Sequence, residues 1–595
     1  MDSSVIDCVI AAEFDHDYGP VVKNVYPEGW FDGDDSEIGE IMIPDQIHER
    51  PSDWNVVFLY DHNQKSSRRT LLSFALTRKS NDTSRGAVIR SLAICTTLQN
   101  VEPFKPFLTL AVAEYSANPS LDIITRLFHS LHSIKLNTIP KLDHNAKSIL
   151  ILLPEPNKPP LKSVDELRSD SDLVAPAAQN TLLPSAELIQ TTELTYTVAV
   201  PFKAMGRTSD IPFKYPLAVP EEFVVQIPVE GYLKSLASLN VSLSSPNCFP
   251  DVFTSGSSTH PLIIIINAIL TEKRLLFVGV GLSSSDITET VLTAVLIASG
   301  YGLAPGILER TFPYASLSRV SQLVEIPGYI AGVCSPAFGS HPEWWDIMID
   351  INTGVISASG TSRTAAPNSS SGSFIDQSFV TDIAKLLDLR APASALLLRS
   401  RNYVRELIAI TAEMERRYNG ATDLENIRTE KDKGNLAYPG AGIVWPIKSN
   451  ENSEIAVHSP FVESFRQTSI HKRLGLIPKQ EVKVDFRHQL QLLQRRGSSM
   501  SGDEIVKLYS TLPNFLKTSQ DIYQFTLELT SAYCDIKHLA LGLFHPRTSV
   551  RTATARCLAT VESSYPGKFV IQQLSTVEHL AYMSAASLAT KAIKS

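Results

Sequence analysis

The stretch HPLIIIINAILTEKRLLFVGVGLSSSD, residues 260–286, restricts what this chain can fold into more than any other. It is apolar from Pro261 to Leu270, crosses Glu272, Lys273 and Arg274, and is apolar again from Leu275 to Val278. A helix that spans a bilayer needs about 20 consecutive apolar residues, so the charges arrive too early for a membrane segment. The pattern predicts a core helix, a tight charged turn and a buried strand. The glycines that follow, in GVGLSS, suggest a phosphate-cradling turn. A dinucleotide fingerprint needs a third glycine where Ser284 stands, and a P-loop needs a lysine that is absent. A structural strand-to-helix turn is the stronger reading, with Asp286 as N-cap of the helix ITETVLTAVLIASG and Gly300 ending it.

At 595 residues the chain is long enough for several domains. Hydrophobic residues make up 43% and charged residues 19%, the proportions of a well-buried globular protein. A net charge of −8 provides no broad basic field, which argues against nucleic acid as a partner. A local basic patch could still touch an acidic membrane or a kinase. Cys8, Cys95, Cys248, Cys334, Cys534 and Cys557 are far apart and form no CxxC pair, which argues against a zinc site or a disulfide framework. The opening MDSSVIDCVIAAEFD has early acids and no basic region, unlike a signal peptide. These features predict a cytoplasmic chain whose membrane contact is peripheral.

Strands are expected at residues 5–14, 21–26, 54–60, 70–78 and 86–98, with two amphipathic helices within 104–134. Five strands and two helices in that order predict an α/β sandwich of about 150 residues. The Pro-, Ser- and Asp-rich stretch 154–190 reads as a linker or a long surface loop. Dense core material returns over 191–358, with strands expected in TYTVAV, EEFVVQIPV and DIMIDINTGVIS. SASGTSRTAAPNSSSGS then reads as a flexible insertion. From Gly502 onward the pattern is almost wholly helical, and FHPRTSVRTATARCLATVESSY is similar to one unit of a helical repeat.

No catalytic constellation stands out: there is no G-x-S-x-G elbow and no H-E-x-x-H. Asp15, His16 and Asp17 superficially suggest a metal site, but a solvated hairpin is the simpler reading, and no metal or cofactor is expected. Glu343, Asp346 and Asp350 sit beside two tryptophans, which reads as a packed corner. The sequence RRGSS places Arg495 and Arg496 at −3 and −2 from Ser498, a pattern that basophilic kinases read. Phosphorylation there would add roughly −1.5 to −2 charges.

Three stretches together resemble a known family: CVIAAEFDHDYGPVVKNVYPEG (8–29), INAILTEKRLLFVGVGLSSSDI (266–287) and RTFPYASLSRVSQLVEIPGYIAGVCSPAFGSHPEWWDIMIDINTGVIS (310–357). They resemble DENN-domain proteins, and among these the fungal Arf-docking, stabilisation-of-polarity-axis family. The stretch MIPDQIHERPSDWNVVFLY (42–60) is particularly similar to that fungal group. The resemblance implies an α/β fold, a longin-like module plus a central DENN lobe, followed by a mainly α-helical C-terminal region. Its expected divisions are a longin-like module at 1–155, a linker at 156–190, a central DENN domain at 191–360 and an insertion at 361–373. A downstream helical region at 374–500 and an all-helical region at 501–595 complete the chain.

The resemblance also implies a small-GTPase partner, of Arf or Rab type, gripped between the first two lobes. The expected contacts are Asp15, His16, Asp17 and Tyr18 on the first hairpin, and Pro313 and Tyr314 at FPY. For FPY, a packed aromatic corner is a stronger reading than a contact. Lys273 and Arg274 occupy a matching family position and are expected to cap the preceding helix, an arrangement worth about 0.3–1 kcal/mol. Three functions remain open: Arf docking at sites of polarised growth, Rab nucleotide exchange, and a helical scaffold with a purely structural DENN lobe. Exchange needs no acid–base pair, since it works through tighter binding of the nucleotide-free GTPase. Membrane association would run through the GTPase and bring the chain to the cell cortex.

Overall fold

The computed structural model describes residues 5–29, 35–60, 68–79, 87–134, 149–151, 195–242, 249–360, 372–419, 422, 424, 451–476, 486–494, 502–530 and 536–594. The expected linker at 156–190, most of the insertion at 361–373, and Ser498 lie outside them.

Strict alternation organises the first sheet. In β1 (Cys8–Asp15), Val9 and Ala11 face one core, while Cys8, Ile10 and Ala12 face another. With β2 (Gly19–Tyr26), β3 (Ser52–Tyr60), β4 (Arg68–Lys79) and β5 (Ala87–Thr96) it forms an antiparallel sheet ordered β2-β1-β5-β4-β3. All five strands fall where the sequence pattern puts them. The expected helix pair, α2 (Lys105–Ala117) and α3 (Leu121–His132), covers the Val9 face. The opposite face is covered by α1 (Asp35–Met42), which the sequence reading had missed. This helix is short, and only Ile38, Ile41 and Met42 supply buried apolar contact.

A separate hairpin, β6 (Thr195–Ala204) and β7 (Arg207–Pro216), closes over α2 and α3. Phe202 packs edge-on against Phe107, and Phe213 against Phe104. Its two-residue turn holds Met205 at φ 49° and Gly206 at φ 76°, the geometry whose twist suits tight hairpins. TYTVAV is therefore a strand, but it belongs to this hairpin and not to the central sheet. EEFVVQIPV forms no strand. Its backbone joins the chain before α2, where the Val101 amide donates to the Val224 carbonyl (2.8 Å), while Val224 and Val225 are buried.

The central sheet runs β10-β11-β9-β12-β13-β8, with β9 (Leu275–Val278) in the middle. It pairs in parallel with β11 (Ile330–Val333) and β12 (Ile347–Asp350). The remaining strands are β8 (Asn240–Val241), β10 (Thr311–Phe312) and β13 (Val355–Ala358). Strands covered on both faces need no alternation, and all four residues of β9 are buried. The helices α4 (Val229–Ala237), α5 (Pro261–Leu270) and α6 (Ser284–Ala298) pack together, and all ten residues of α5 are buried. The isoleucine run is thus core material on every side.

Two capping expectations are corrected here. The N-cap of α6 is Ser283, whose hydroxyl accepts from the Asp286 amide (3.0 Å); Asp286 is the third helical residue. Gly300 does follow the helix in the left-handed region, at φ 61°. Nor do the Lys273 and Arg274 side chains cap α5. Lys273 pairs with Asp251 at 2.6 Å, and Arg274 holds Asp346 through its backbone amide and guanidinium, both at 2.8 Å. The cap comes from a residue far along the chain: buried Arg310 donates to the carbonyls of Ile269 and Gly328. Burial lowers its guanidinium pKa to about 10.

The C-terminal region is largely α-helical, as expected. After the short helix α7 (Val320–Glu325), α8 (Phe374–Asp388), α9 (Ala393–Asn419), α10 (Glu451–Phe465) and α11 (Ser469–Leu476) extend the main core through Phe379, Tyr403, Leu407 and Phe461. A second core is formed by α12 (Phe486–Gln494), α13 (Gly502–Thr511), α14 (Ser519–Leu529), α15 (Ile536–Ala540), α16 (Thr548–Glu562), α17 (Tyr565–Ile571) and α18 (Thr576–Lys594). Arg405 of α9 and Glu528 of α14 form an ion pair between the two cores.

Candidate functional site

The two sheets meet along the edge strand β3. The β3 residue Asp53, 3% exposed, directs its carboxylate at the first turn of α6. It accepts from the backbone amides of Ser284 (2.8 Å) and Ser285 (3.1 Å). Ser284 also donates its hydroxyl to the Trp54 carbonyl (3.1 Å), and Arg50 donates to the Gly281 carbonyl. A helix N-terminus is a ready anion site, and this one is filled by the protein's own acid. The phosphate reading of GVGLSS therefore gives way to a contact between sheets.

FPY sits at the same boundary. Pro313 and Tyr314 are buried, Tyr314 to 2% exposure. The Tyr314 hydroxyl accepts from the Asp45 amide (3.4 Å) and lies 3.2 Å from Cys334 Sγ. The Cys334 thiol in turn donates to the Asp45 carboxylate (3.3 Å). Burial pushes the Tyr314 hydroxyl well above its usual pKa and the Cys334 thiol up to about 12, so both stay protonated as donors. The close approach depends on Gly332, where a Cβ would lie 2.6 Å from the Pro313 carbonyl oxygen.

The first hairpin is the exposed counterpart. His16, Asp17 and Tyr18 project into solvent, Tyr18 at 84% exposure. The Asp15 carboxylate is engaged in the turn, accepting from the amides of Asp17 (2.9 Å) and Tyr18 (3.3 Å), with Lys23 at 3.7 Å. The Asp17 amide bond, then the Tyr18 amide and the Lys23 charge, hold its pKa below the usual range. Among the described residues no cluster of His, Cys, Asp and Glu could hold a metal ion.

Helix α1 links hairpin and boundary. Its Gly39 lies so close to β2 that a Cβ would sit 2.7 Å from the Pro20 carbonyl oxygen. On its other side Glu40 accepts from Ser318, and Glu37 from Gln322 (3.3 Å). The hairpin tip, α1 and the segment after FPY thus adjoin in sequence-distant order. The sequence reading found the first and last of these and missed Asp53, Glu37 and Glu40. An Asp one residue into a strand carries no signal of its distant partner.

The acids of EWWDIMID are also accounted for. Asp346 holds Arg274, His341 Nδ1 lies 2.7 Å from Glu343 Oε1, and Asp350 accepts from the amides of Asn352 and Thr353. Trp345 is buried and donates to the Phe338 carbonyl (3.0 Å), while Trp344 stacks on His341. A cleft of about 420 Å³ opens at the carboxyl ends of β9 and β12, bordered by Tyr232, Asp286 and Asn352. Tyr232 donates to Asp286 across it (3.1 Å).

This geometry defines a mixed α/β platform, two sheets joined edge to helix, continued by a helical region. Comparison with known proteins places it more closely. The family model described as the docking domain of Afi1 for Arf3 in vesicle trafficking matches residues 8–89, and the model described as stabilization of polarity axis matches residues 251–360. An AFI1-like protein of Schizosaccharomyces pombe (strain 972) is 26% identical, over 96% of this chain and 97% of its own length. Over these two segments the chain is similar to the Afi1 docking and stabilization-of-polarity-axis families, and along its length to that yeast relative.

Proposed function

We propose that this chain docks an Arf-type small GTPase at sites of polarised growth and vesicle traffic, from a cytoplasmic pool recruited to the cell cortex. The observation that carries the reading is the match of residues 8–89 to a docking domain. That segment contributes β1 to β4, α1 and the exposed Tyr18 hairpin. The proposed contacts are Asp15, His16, Asp17 and Tyr18, with Pro313 and Tyr314 supporting the adjoining boundary from beneath. In this reading the five-stranded sheet with helices on both faces serves as a longin-like module, and the central mixed sheet as a DENN-type lobe. Phosphorylation of Ser498 would be a separate regulatory input, checked by phosphopeptide mapping through growth.

The test is capture of purified Arf and Rab GTPases, each GTP-loaded, GDP-loaded and nucleotide-free, by the full chain. Docking requires preference for a GTP-loaded Arf. Preference for a nucleotide-free Rab would replace docking with nucleotide exchange. Capture of no GTPase would leave a scaffold.

A further inference from the structure

The cleft at the carboxyl ends of β9 and β12 lies where the chain changes direction through the central sheet. From β9 it leaves by way of α6 for β10 on one side; from β12 it turns directly into β13 on the other. Connections that part in this way leave a crevice, and open α/β sheets bind small ligands there. The cleft's volume of about 420 Å³ falls within the range of small-molecule sites. Its walls are tied together. The Ile351 amide donates to the Val278 carbonyl (2.8 Å), Asn352 Nδ2 to the Val280 carbonyl (2.9 Å), and the Asn240 amide to the Gly354 carbonyl (2.7 Å). A ligand would therefore enter a preformed space.

The lining selects the ligand. Leu236, Leu239, Leu282 and Ile351 supply apolar surface, and Asp286 is the one charged side chain among the described residues that border the cleft. The Tyr232 hydroxyl bonds to both Asp286 and Glu289. Its single proton serves one acid at a time, so Asp286 keeps acceptor capacity for another donor. Lys105, whose charge reaches Glu289, is itself held by Glu102 (3.0 Å) and by the Trp54 ring. An anion would find no partner, since the first amides of α6 already serve Asp53. We propose that this cleft binds a small organic cation, an ammonium or guanidinium on an aliphatic stem, independently of any GTPase. The cation meets Asp286 while the stem lies along Leu236 and Leu239.

The experiment is isothermal titration calorimetry of the purified full chain with agmatine and with hexylamine, beside hexanol as neutral analogue and inorganic phosphate as anion. Both cations are expected to bind at or below about 1 mM, hexanol at least about tenfold more weakly, and phosphate not at all. Asp286→Asn should weaken both cations at least about tenfold. Ser235→Trp, at an exposed position on the α4 wall, should fill the cleft and abolish binding with an unchanged thermal melt. That variant leaves Asp286 in place, so it decides the matter even if Asp286→Asn loses stability through its contact with Ser283. Failure of both cations to bind, phosphate binding in their stead, equal affinity for hexylamine and hexanol, or wild-type affinity in either folded variant would overturn the inference.

Discussion

The carboxylate of Asp53 caps the helix that begins at Ser284, 231 residues further along the chain. It accepts from two consecutive helix amides, and the Trp54 amide also donates to it at 2.8 Å. A buried carboxylate is costly unless its lone pairs are filled, and here three backbone donors fill them. The docking and polarity-axis segments therefore share a contact that neither could make alone.

Asp53→Asn tests that contact. The amide keeps the shape but turns an NH2 toward a backbone donor, so one helix amide loses its acceptor. The expected loss of stability is about 1–3 kcal/mol, read as a lower midpoint in chemical denaturation. Hydrogen exchange at Ser284 and Ser285 should accelerate more than exchange in β9. Unchanged protection at those two amides would mean that the cap does not hold the sheets together.

Much of the fold was legible because it rests on local periodicity. Alternation marks β1 and β5, and the uninterrupted apolar run marks α5 and β9. What stayed hidden depends on distant pairing. Lys273 and Arg274 look like helix caps because they follow the helix, yet Asp251 and Asp346 claim them and Arg310 does the capping. Helix α1 was missed because eight residues with three buried apolar side chains give little periodic signal. For the candidate site, the Asp15–Tyr18 turn could be read locally, whereas the burial of Tyr314 by Asp45 could not.

Arg310→Lys should be far from conservative. One planar guanidinium serves the carbonyls of Ile269 and Gly328, and an ammonium cannot reproduce that fork. Leaving one buried carbonyl unpaired costs about 1–3 kcal/mol. A clear fall in melting temperature is expected, with Arg310→Met lower still. By contrast, an exposed control such as Arg547→Lys should change little. Equal melts for Arg310→Lys and wild type would show that the α5 cap contributes nothing.

A buried ionic cluster joins the polarity-axis segment to the helical region. His458 Nε2 lies 3.1 Å from Ser373 Oγ, 3.5 Å from Glu454 and 3.8 Å from Asp376; Asp376 also accepts from Tyr403 (2.8 Å) and Thr254 (3.1 Å). Burial pulls the imidazole toward neutrality, but the charge of Asp376, the Glu454 bond and more distant Glu406 outweigh it and raise its pKa above 6.5. Burial also raises Asp376. A raised histidine contributes stability that is fully present below its unfolded value and lost as pH rises through the folded one. Wild type should therefore exceed His458→Gln in stability most at pH near 6.5 and below, with the gap closing as pH rises through the folded-state value. Glu454 is held below its usual value, with burial opposed by the His458 bond, so its contribution is lost only in acid. A gap that is constant across neutral and alkaline pH would exclude a charged His458.

The docking segment should not fold alone. The match ends at residue 89, three residues into β5, yet β5 is the strand between β1 and β4. Cutting there splits the sheet and strips α2 and α3 from its Val9 face. A fragment of residues 1–89 is expected to show no cooperative melt and no near-ultraviolet signal, whereas residues 1–476, which retain the main core, should show both. A folded 1–89 fragment would mean that β4 can pair with β1 directly.

Tyr18 gives the sharpest test of the docking surface because it has so little structural work to do. Its ring is 84% exposed, and its turn is held by the Asp15 carboxylate through backbone amides that any residue supplies. Tyr18→Ala should leave the unfolding free energy within about 0.5 kcal/mol of wild type. Exposed aromatics that become buried in an interface carry a large share of its energy. If the hairpin meets the GTPase, Tyr18→Ala should therefore weaken binding at least about tenfold. Asp15→Ala removes the acceptor of the turn and should weaken binding through the shape of the loop, with a small loss of stability. Wild-type affinity in both variants would move the docking surface off this hairpin and toward the Glu37 and Glu40 face of α1.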